Sequence, residues 1–169
     1  MSSTTIGTGR VATGSGLDSI LDRANDAQAV VQRFLARAGV PALRISLGLV
    51  FLAFGVLKFF PGVSPVEALV TRTWNVLSFG VVDGYAALAL TGALEVFVGV
   101  TLVTGVLLRI GLLALAVTFV GVFSPLVFFG GELFTAAGPT LTAQYILKDV
   151  VLVAAAMVIA AKAFTRPIR

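Results

Sequence analysis

The stretch from Thr142 to Ala161 constrains the fold most, because it is long and apolar enough to cross a bilayer. Lys148 and Asp149 nevertheless stand side by side about two turns past its start. A charged side chain within hydrocarbon costs roughly 2.5–3.5 kcal/mol on insertion scales, so such residues persist only with a partner or a function. We therefore predict a membrane protein with a polar site inside the membrane, whose other members come from the remaining apolar segments.

The composition supports a membrane protein and excludes several kinds of chemistry. The 169 residues are 58% hydrophobic and have a mean hydropathy of +1.05, far outside the range of ordinary soluble domains. The net charge is +4, but the basic residues are scattered near the ends of apolar segments, so we expect no nucleic-acid partner. The chain has no Cys and no His, which excludes thiolate chemistry, iron–sulfur ligation and His-ligated metals. We predict no metal site and no intrinsic cofactor.

The first forty residues form a region of their own. Residues 1–16 are rich in Ser, Thr and Gly and are predicted to be a disordered tail without a signal peptide, which keeps the N-terminus in the cytoplasm. From Leu17 to Ala38, apolar residues recur at helical spacing, with acidic residues early and arginines late. This pattern predicts an amphipathic helix, either along the cytoplasmic membrane face or packed beneath the bundle. Gly39-Val40-Pro41 is predicted to break it.

Residues 41–164 are predicted to be an all-α domain of four transmembrane helices, followed by a basic cytoplasmic tail, 165–169. A short helix is expected at the outer interface between the first two spans, because Ser64-Pro65-Val66-Glu67 has the pattern of a capping box. This helix should end near Leu77 and use Trp74 as an anchor. The four spans are placed at residues 41–60, 84–104, 110–129 and 141–164.

The basic residues predict the orientation of these spans. With four crossings, nearly all arginines and lysines fall on one side of the membrane, whereas the opposite loops hold Arg72, with Lys58 at a span end. By the positive-inside rule, both termini face the cytoplasm of a cell whose inner (plasma) membrane holds the protein.

The polar positions of the spans fall at similar depths. Lys148 lies ~10 Å from the outer side and Glu95 ~16 Å, at 1.5 Å rise per residue. Lys58 and Pro125 lie near the outer ends of their spans. Together with Asp149 they form a candidate polar pocket in which Glu95 and Lys148 are expected to pair. Two simpler interpretations stay open: Lys58 only reaches to the interface, and the charges only lock the helices together.

Four ordered motifs resemble the DoxX-like membrane proteins, and more closely the YkgB-like group, which includes a reactive-chlorine-resistance inner-membrane protein. They are RISLGLVFLAFGVLKFFPGVSP, GALEVFVGV, FSPLVFF and YILKDVVLVAAA, and they span Arg44 to Ala161. The resemblance implies a four-helix membrane bundle. It also implies that the functional polar positions are Lys58, Glu95, Pro125, Lys148 and Asp149, and Tyr145 opens the last motif.

The resemblance also suggests a role, because some members of the wider family are subunits of thiosulfate:quinone oxidoreductases and others associate with oxidative-stress enzymes. We expect a redox-linked accessory subunit in the lipid bilayer that binds a quinone and an oxidoreductase partner or further copies of itself. Two alternatives stay open, a non-catalytic scaffold subunit and a small-solute transport unit. Since the chain has no Cys, any redox role must pass through a quinone or a partner.

Overall fold

The computed structural model describes residues 15–165. The regular secondary structure of this part is helical apart from a hairpin of two two-residue strands, β1 and β2, which confirms the predicted all-α class. The elements, in chain order, are α1 Ser15–Leu57, α2 Glu67–Leu77, α3 Gly84–Thr104, α4 Leu108–Phe128, α5 Gly130–Leu133, β1 Phe134–Thr135, β2 Gly138–Pro139, α6 Leu141–Lys148 and α7 Val150–Phe164. Within residues 15–165, three helices are long and apolar enough to cross a membrane, at Ser19–Leu57, Gly84–Thr104 and Leu108–Phe128.

Helix α1 does not end where the sequence predicted. It continues through Gly39 and contains Pro41, so the predicted break at Gly39-Val40-Pro41 is wrong. A proline inside a helix removes one backbone hydrogen bond and costs ~3 kcal/mol, but the residues on both sides have helical spacing and continue the helix. The chain nevertheless divides into two compact units, one ending at Gly39 and the other beginning at Val40.

Helix α2 confirms the predicted short helix and its end at Leu77, but its start differs from the prediction. The helix begins at Glu67 rather than at Pro65, and its N-cap residue, Val66, makes no side-chain capping bond. The carboxylate of Glu67 accepts a hydrogen bond from the Gly62 backbone N–H at 2.7 Å. The predicted capping box is therefore wrong, because the loop after α1 folds back and provides the donor that Ser64 was expected to provide.

Helices α3 and α4 are joined by a turn of three residues. Asp83 begins α3 by accepting a hydrogen bond from the Gly84 N–H at 2.7 Å. Gly105 ends it in the left-handed conformation, with φ of 78°, as glycine does at many helix ends. Leu107 also has a positive φ, 53°, so this turn is tight and strained.

The fourth apolar segment is interrupted rather than continuous. Helix α6 ends at Lys148 and α7 begins at Val150, so Asp149 stands between them. The Asp149 N–H donates to the Ile146 carbonyl at 3.0 Å, a shorter i→i−3 bond that tightens this turn. Because of this interruption neither helix is long enough to span alone, and the predicted fourth crossing stays a prediction.

One apolar core joins α1, α3, α4 and α7. The rings of Phe51 and Phe119 meet edge to face inside it, with their centroids 6.0 Å apart. A smaller cluster of Leu133, Ala143 and Ile146 lies against the end of α4. The buried members of the main core are Leu47, Phe51, Val98, Leu102, Leu112, Leu115, Phe119 and Ile159.

Large apolar side chains also cover the outside of these helices. Val117, Val120, Val151 and Met157 are each 64–70% exposed, although apolar residues of this size are usually buried in soluble domains. Such an outer surface suits contact with lipid acyl chains.

Candidate functional site

A buried ion pair between α1 and α3 is the centre of the candidate site. Lys58, in the first turn after α1, donates from Nζ to Oε2 of Glu95 at 2.6 Å. Lys58 is 4% exposed and Glu95 6% exposed, so both charged groups are buried inside the protein. The Lys58 ammonium also reaches the Phe54 carbonyl oxygen at 3.5 Å. An ion pair buried among apolar helices is expensive to desolvate, and it persists because each charge compensates the other.

Glycines on both helices allow this close approach. A Cβ atom at Gly55 would lie 2.9 Å from the Cβ of Glu95, and one at Gly92 would lie 3.2 Å from the Cβ of Lys58. Two turns further along the same interface, Gly48 and Gly99 approach each other in the same way. Small residues at a helix crossing let two backbones meet, as is common between transmembrane helices. The glycines therefore position Lys58 against Glu95.

Asp149 belongs to the same electrostatic neighbourhood. Its carboxylate, half buried at the junction of α6 and α7, interacts electrostatically with Lys148, Lys58 and Glu95. Within residues 15–165 it accepts no side-chain hydrogen bond, unlike Glu95. The neighbourhood therefore holds two carboxylates and two ammonium groups, of which Lys58 and Glu95 form the direct ion pair.

Lys148 does not pair with Glu95, and that expectation is wrong. Its Nζ lies 3.9 Å from the ring centroid of Tyr145, in a cation–π contact, and both side chains are exposed. The sequence predicts similar membrane depths for Lys148 and Glu95. In the structure, however, α6 is rotated so that the Lys148 side chain is exposed. The buried partner of Glu95 is Lys58, and the simpler interpretation in which Lys58 only reaches to the interface is wrong.

Pro125 lies buried inside α4, at the end that meets the smaller apolar cluster. Its carbonyl accepts a hydrogen bond from the Phe129 N–H at 2.8 Å, which closes the last turn of the helix. This contact explains Pro125 as part of the end of α4 and does not join it to the ion pair.

A cavity of about 700 Å³ lies between the loop after α1, helix α2 and the first turns of α3. Its wall is mostly apolar and includes Glu67, Arg72, Tyr85 and Leu88. Leu88 and Glu95 lie on the same helix two turns apart, ~10 Å by rise, so the cavity is near the ion pair along α3. A second cavity of about 320 Å³ shares Arg72 with the first.

Arg72 stands between the two cavities and is held from two sides. Its guanidinium donates to both carboxylate oxygens of Glu132, at 2.8 and 2.9 Å, and lies 4.4 Å from the ring centroid of Phe129. Hydrogen bonds and charge from Arg72 lower the pKa of Glu132 below its usual value. Only a weak sequence signal points to this contact, since Arg72 is one of the few basic residues on the predicted outer side.

The site residues that sequence reasoning missed are Arg72, Glu132 and Tyr85. Tyr85 was unremarkable in sequence, yet it lines the larger cavity and its hydroxyl donates to the Phe59 carbonyl oxygen at 3.4 Å. Within residues 15–165 no cluster of three metal-ligating side chains occurs.

Comparison with known proteins gives one match. A family model described as DoxX matches residues 39–131, more than half of the chain. Comparisons with curated proteins and with solved structures gave no significant match. The matched range contains the ion pair and every residue lining the larger cavity, whereas residues 1–38 and helices α6 and α7 lie outside it.

Proposed function

The chain belongs to the DoxX family, and from that premise we propose that it is a redox-linked accessory subunit that binds a quinone head group in the larger cavity. The observation that carries the proposal is the buried Lys58–Glu95 pair with the Asp149 carboxylate nearby. Ionisable groups inside a membrane protein are expensive to keep and commonly mark proton or ligand paths.

The size and lining of the cavity suit such a ligand. Ligand pockets usually enclose ~300–1,000 Å³ and combine apolar walls with a few polar groups. The cavity of about 700 Å³ has apolar walls that include the Tyr85 ring. Arg72 has N–H groups beyond the two that bind Glu132, and these can donate to a carbonyl oxygen. In this proposal the quinone ring lies against the apolar wall and a polar side chain fixes its orientation.

The chemistry is divided between this chain and a partner. Reduction of a quinone to a quinol takes two electrons and two protons. The chain has no Cys and no His, so we assign the electrons to a partner oxidoreductase subunit. Proton exchange is assigned to Asp149, which would pass the two protons one after the other. Glu95 is hydrogen-bonded to Lys58, whereas the Asp149 carboxylate accepts no hydrogen bond from another described residue. An oxidative-stress role follows as part of the same proposal.

The membrane arrangement that accompanies this role is also a proposal. We assign α6 and α7 together to a fourth crossing, since residues 141–164 rise ~36 Å at 1.5 Å per residue. That length suits a hydrocarbon core of ~30 Å. Both termini would then face the cytoplasm and α2 the outer side of the inner membrane.

Quinone extraction and photolabelling test the proposal. The full-length protein is purified in native lipid, bound quinones are extracted and identified, and a photoreactive quinone analogue is then cross-linked and its site mapped. We expect labelling on the cavity wall that Tyr85→Ala reduces and Tyr145→Ala does not change. Tyr145 is a matched control because it is similarly exposed but does not line the cavity. Protein that carries no quinone and takes up no label would contradict the proposal.

A scaffold role is the second candidate, and one observation favours it. Lys58 and Glu95 compensate each other's charge, and the Gly55 and Gly92 contacts hold the two helices close around the pair. A pair that acts only as a lock, holding two helices together, would have this arrangement. If folding recovers in a Lys58→Met/Glu95→Gln double variant and quinone labelling recovers with it, the pair acts as a lock. If folding recovers without labelling, the pair serves the ligand site.

A further inference from the structure

The first unit of the chain has an exposed apolar surface. From Ser19 to Arg37 every side chain of α1 is exposed, including large apolar ones. Phe34 is 67% exposed and Val31 55% exposed. Six large apolar side chains share this property within about four helical turns: Ile20, Leu21, Val30, Val31, Phe34 and Leu35.

The spacing of the apolar residues is that of a coiled coil. Leu17, Ile20, Ala24, Ala27, Val31, Phe34 and Ala38 follow one another at alternating intervals of three and four residues. This is an unbroken series of heptad a and d positions over three heptads, and no polar residue interrupts it. A repeat of 3.5 residues keeps a seam facing a neighbouring helix when the two supercoil.

The rest of the heptad also suits a neighbouring helix. The b, c and f positions, which point away from the seam, hold only polar residues and alanine. The six charged residues are three Asp and three Arg, so this segment has no basic excess for an anionic lipid surface. Charge balance therefore favours a helical protein partner over the membrane surface.

We infer that residues 17–38 form a parallel coiled coil with the same segment of another copy of this chain. Copies inserted in one membrane share one orientation, so their first units run in the same direction. In that parallel register, g positions face e positions of the neighbouring helix. Val30 then faces Leu35 of the partner subunit, and Arg23 faces Gln28 of the partner subunit. Apolar residues meet apolar residues, and no like charges face each other.

This inference is independent of the quinone proposal. The segment lies outside the residues matched by the DoxX family model and outside the cavity. It concerns how many copies of the chain assemble, whichever ligand the second unit binds.

Single alanine-to-cysteine variants test the seam, and every variant makes the same chemical change. The chain has no native Cys, so each variant carries a single thiol. In native membranes holding the full-length protein, mild oxidation should cross-link Ala24→Cys and Ala27→Cys into dimers at a and d positions. Ala29→Cys and Ala36→Cys, at f positions, should cross-link several-fold less. Equal cross-linking at f and d positions, no cross-linking anywhere, or d-position adducts with a different protein would overturn the inference.

A measurement of mass in nanodiscs provides a second test that does not depend on thiol chemistry. The unmodified chain and Ala36→Asp should contain two or more copies, whereas Phe34→Asp should contain one. A single copy of the unmodified chain, or an unchanged mass for Phe34→Asp, would overturn the inference. Helix content measured by circular dichroism is the control for the folding of each variant.

Discussion

Removal of either member of the Lys58–Glu95 pair leaves a buried charge without compensation. We expect Lys58→Met and Glu95→Gln each to lower the free energy of unfolding, Lys58→Met by ~3–5 kcal/mol and Glu95→Gln less, because the amide still accepts a hydrogen bond. The double variant should recover part of the loss, since it removes both charges. Thermal or denaturant unfolding in detergent, arranged as a double-mutant cycle, measures the coupling energy.

Lys148→Met is the matched control for this cycle. Lys148 is exposed and contacts the ring of Tyr145, so its replacement should change the unfolding free energy by no more than ~0.5 kcal/mol. A coupling of Glu95 to Lys148 that exceeds its coupling to Lys58 would contradict the geometry of the pair.

The Arg72–Glu132 pair predicts an acid-sensitive contact between α2 and α5. Because Arg72 lowers the pKa of Glu132, ionised Glu132 favours the folded contact above the pKa of the unfolded chain. That contribution is lost as the pH falls through the lower folded pKa. A carboxyl NMR titration should show Glu132 titrating below an ordinary glutamate, and Arg72→Gln should raise its pKa toward the ordinary value. An unchanged Glu132 pKa in Arg72→Gln would contradict the pair. Both groups are exposed, so the effect on overall stability should be small.

At the scale of elements, the crossing of α1 and α3 depends on its glycines. A methyl group at Gly55 would lie 2.9 Å from the Cβ of Glu95 and from the Val96 backbone nitrogen, so the helices must separate. We expect Gly55→Ala to destabilise the protein by ~1–3 kcal/mol, the usual effect of overpacking.

Gly121→Ala provides the control, because a methyl group at this position in α4 meets open space. It should be neutral or stabilise the helix by up to ~1 kcal/mol through the better helix propensity of alanine. If both alanine variants unfold alike, the close crossing of α1 and α3 is wrong.

The elements also show how far the sequence could predict this fold. The bounds of α3 followed from the sequence, because Asp83-Gly84 and Gly105 are strong local start and stop signals. The continuity of α1 did not follow, since Gly39 and Pro41 are also local signals and the surrounding helix overrides them. The predicted similar depth of Glu95 and Lys148 did not predict their partners, because helix rotation decides pairing. Rotation depends on contacts such as that of Gly55 with Glu95, which one sequence does not display.

At the scale of the whole molecule, the predicted membrane orientation has a direct test. Single cysteines replacing Ser19, Thr135 and Thr165 are treated with a membrane-impermeant thiol reagent in intact cells. We expect labelling at position 135, between α4 and α6, and none at positions 19 and 165 until the cells are permeabilised. Labelling of position 19 from outside would contradict cytoplasmic termini, and opposite results for positions 19 and 165 would contradict an even number of crossings.

The division at Gly39 predicts that the second unit folds without the first. Every buried apolar residue of the main core lies at Leu47 or later, and the ion pair and larger cavity lie later still. Deletion of residues 1–38 should therefore leave a helical protein that inserts in membranes and keeps its thermal transition within a few degrees.

The same deletion should reduce the assembly to one copy, because it removes the proposed coiled-coil seam. Circular dichroism measures folding and the mass in nanodiscs measures the number of copies, so an effect on folding can be distinguished from an effect on assembly. A truncated chain that aggregates would show that the first unit supports the fold itself, and a truncated chain that keeps its copies would place the interface between copies on the second unit.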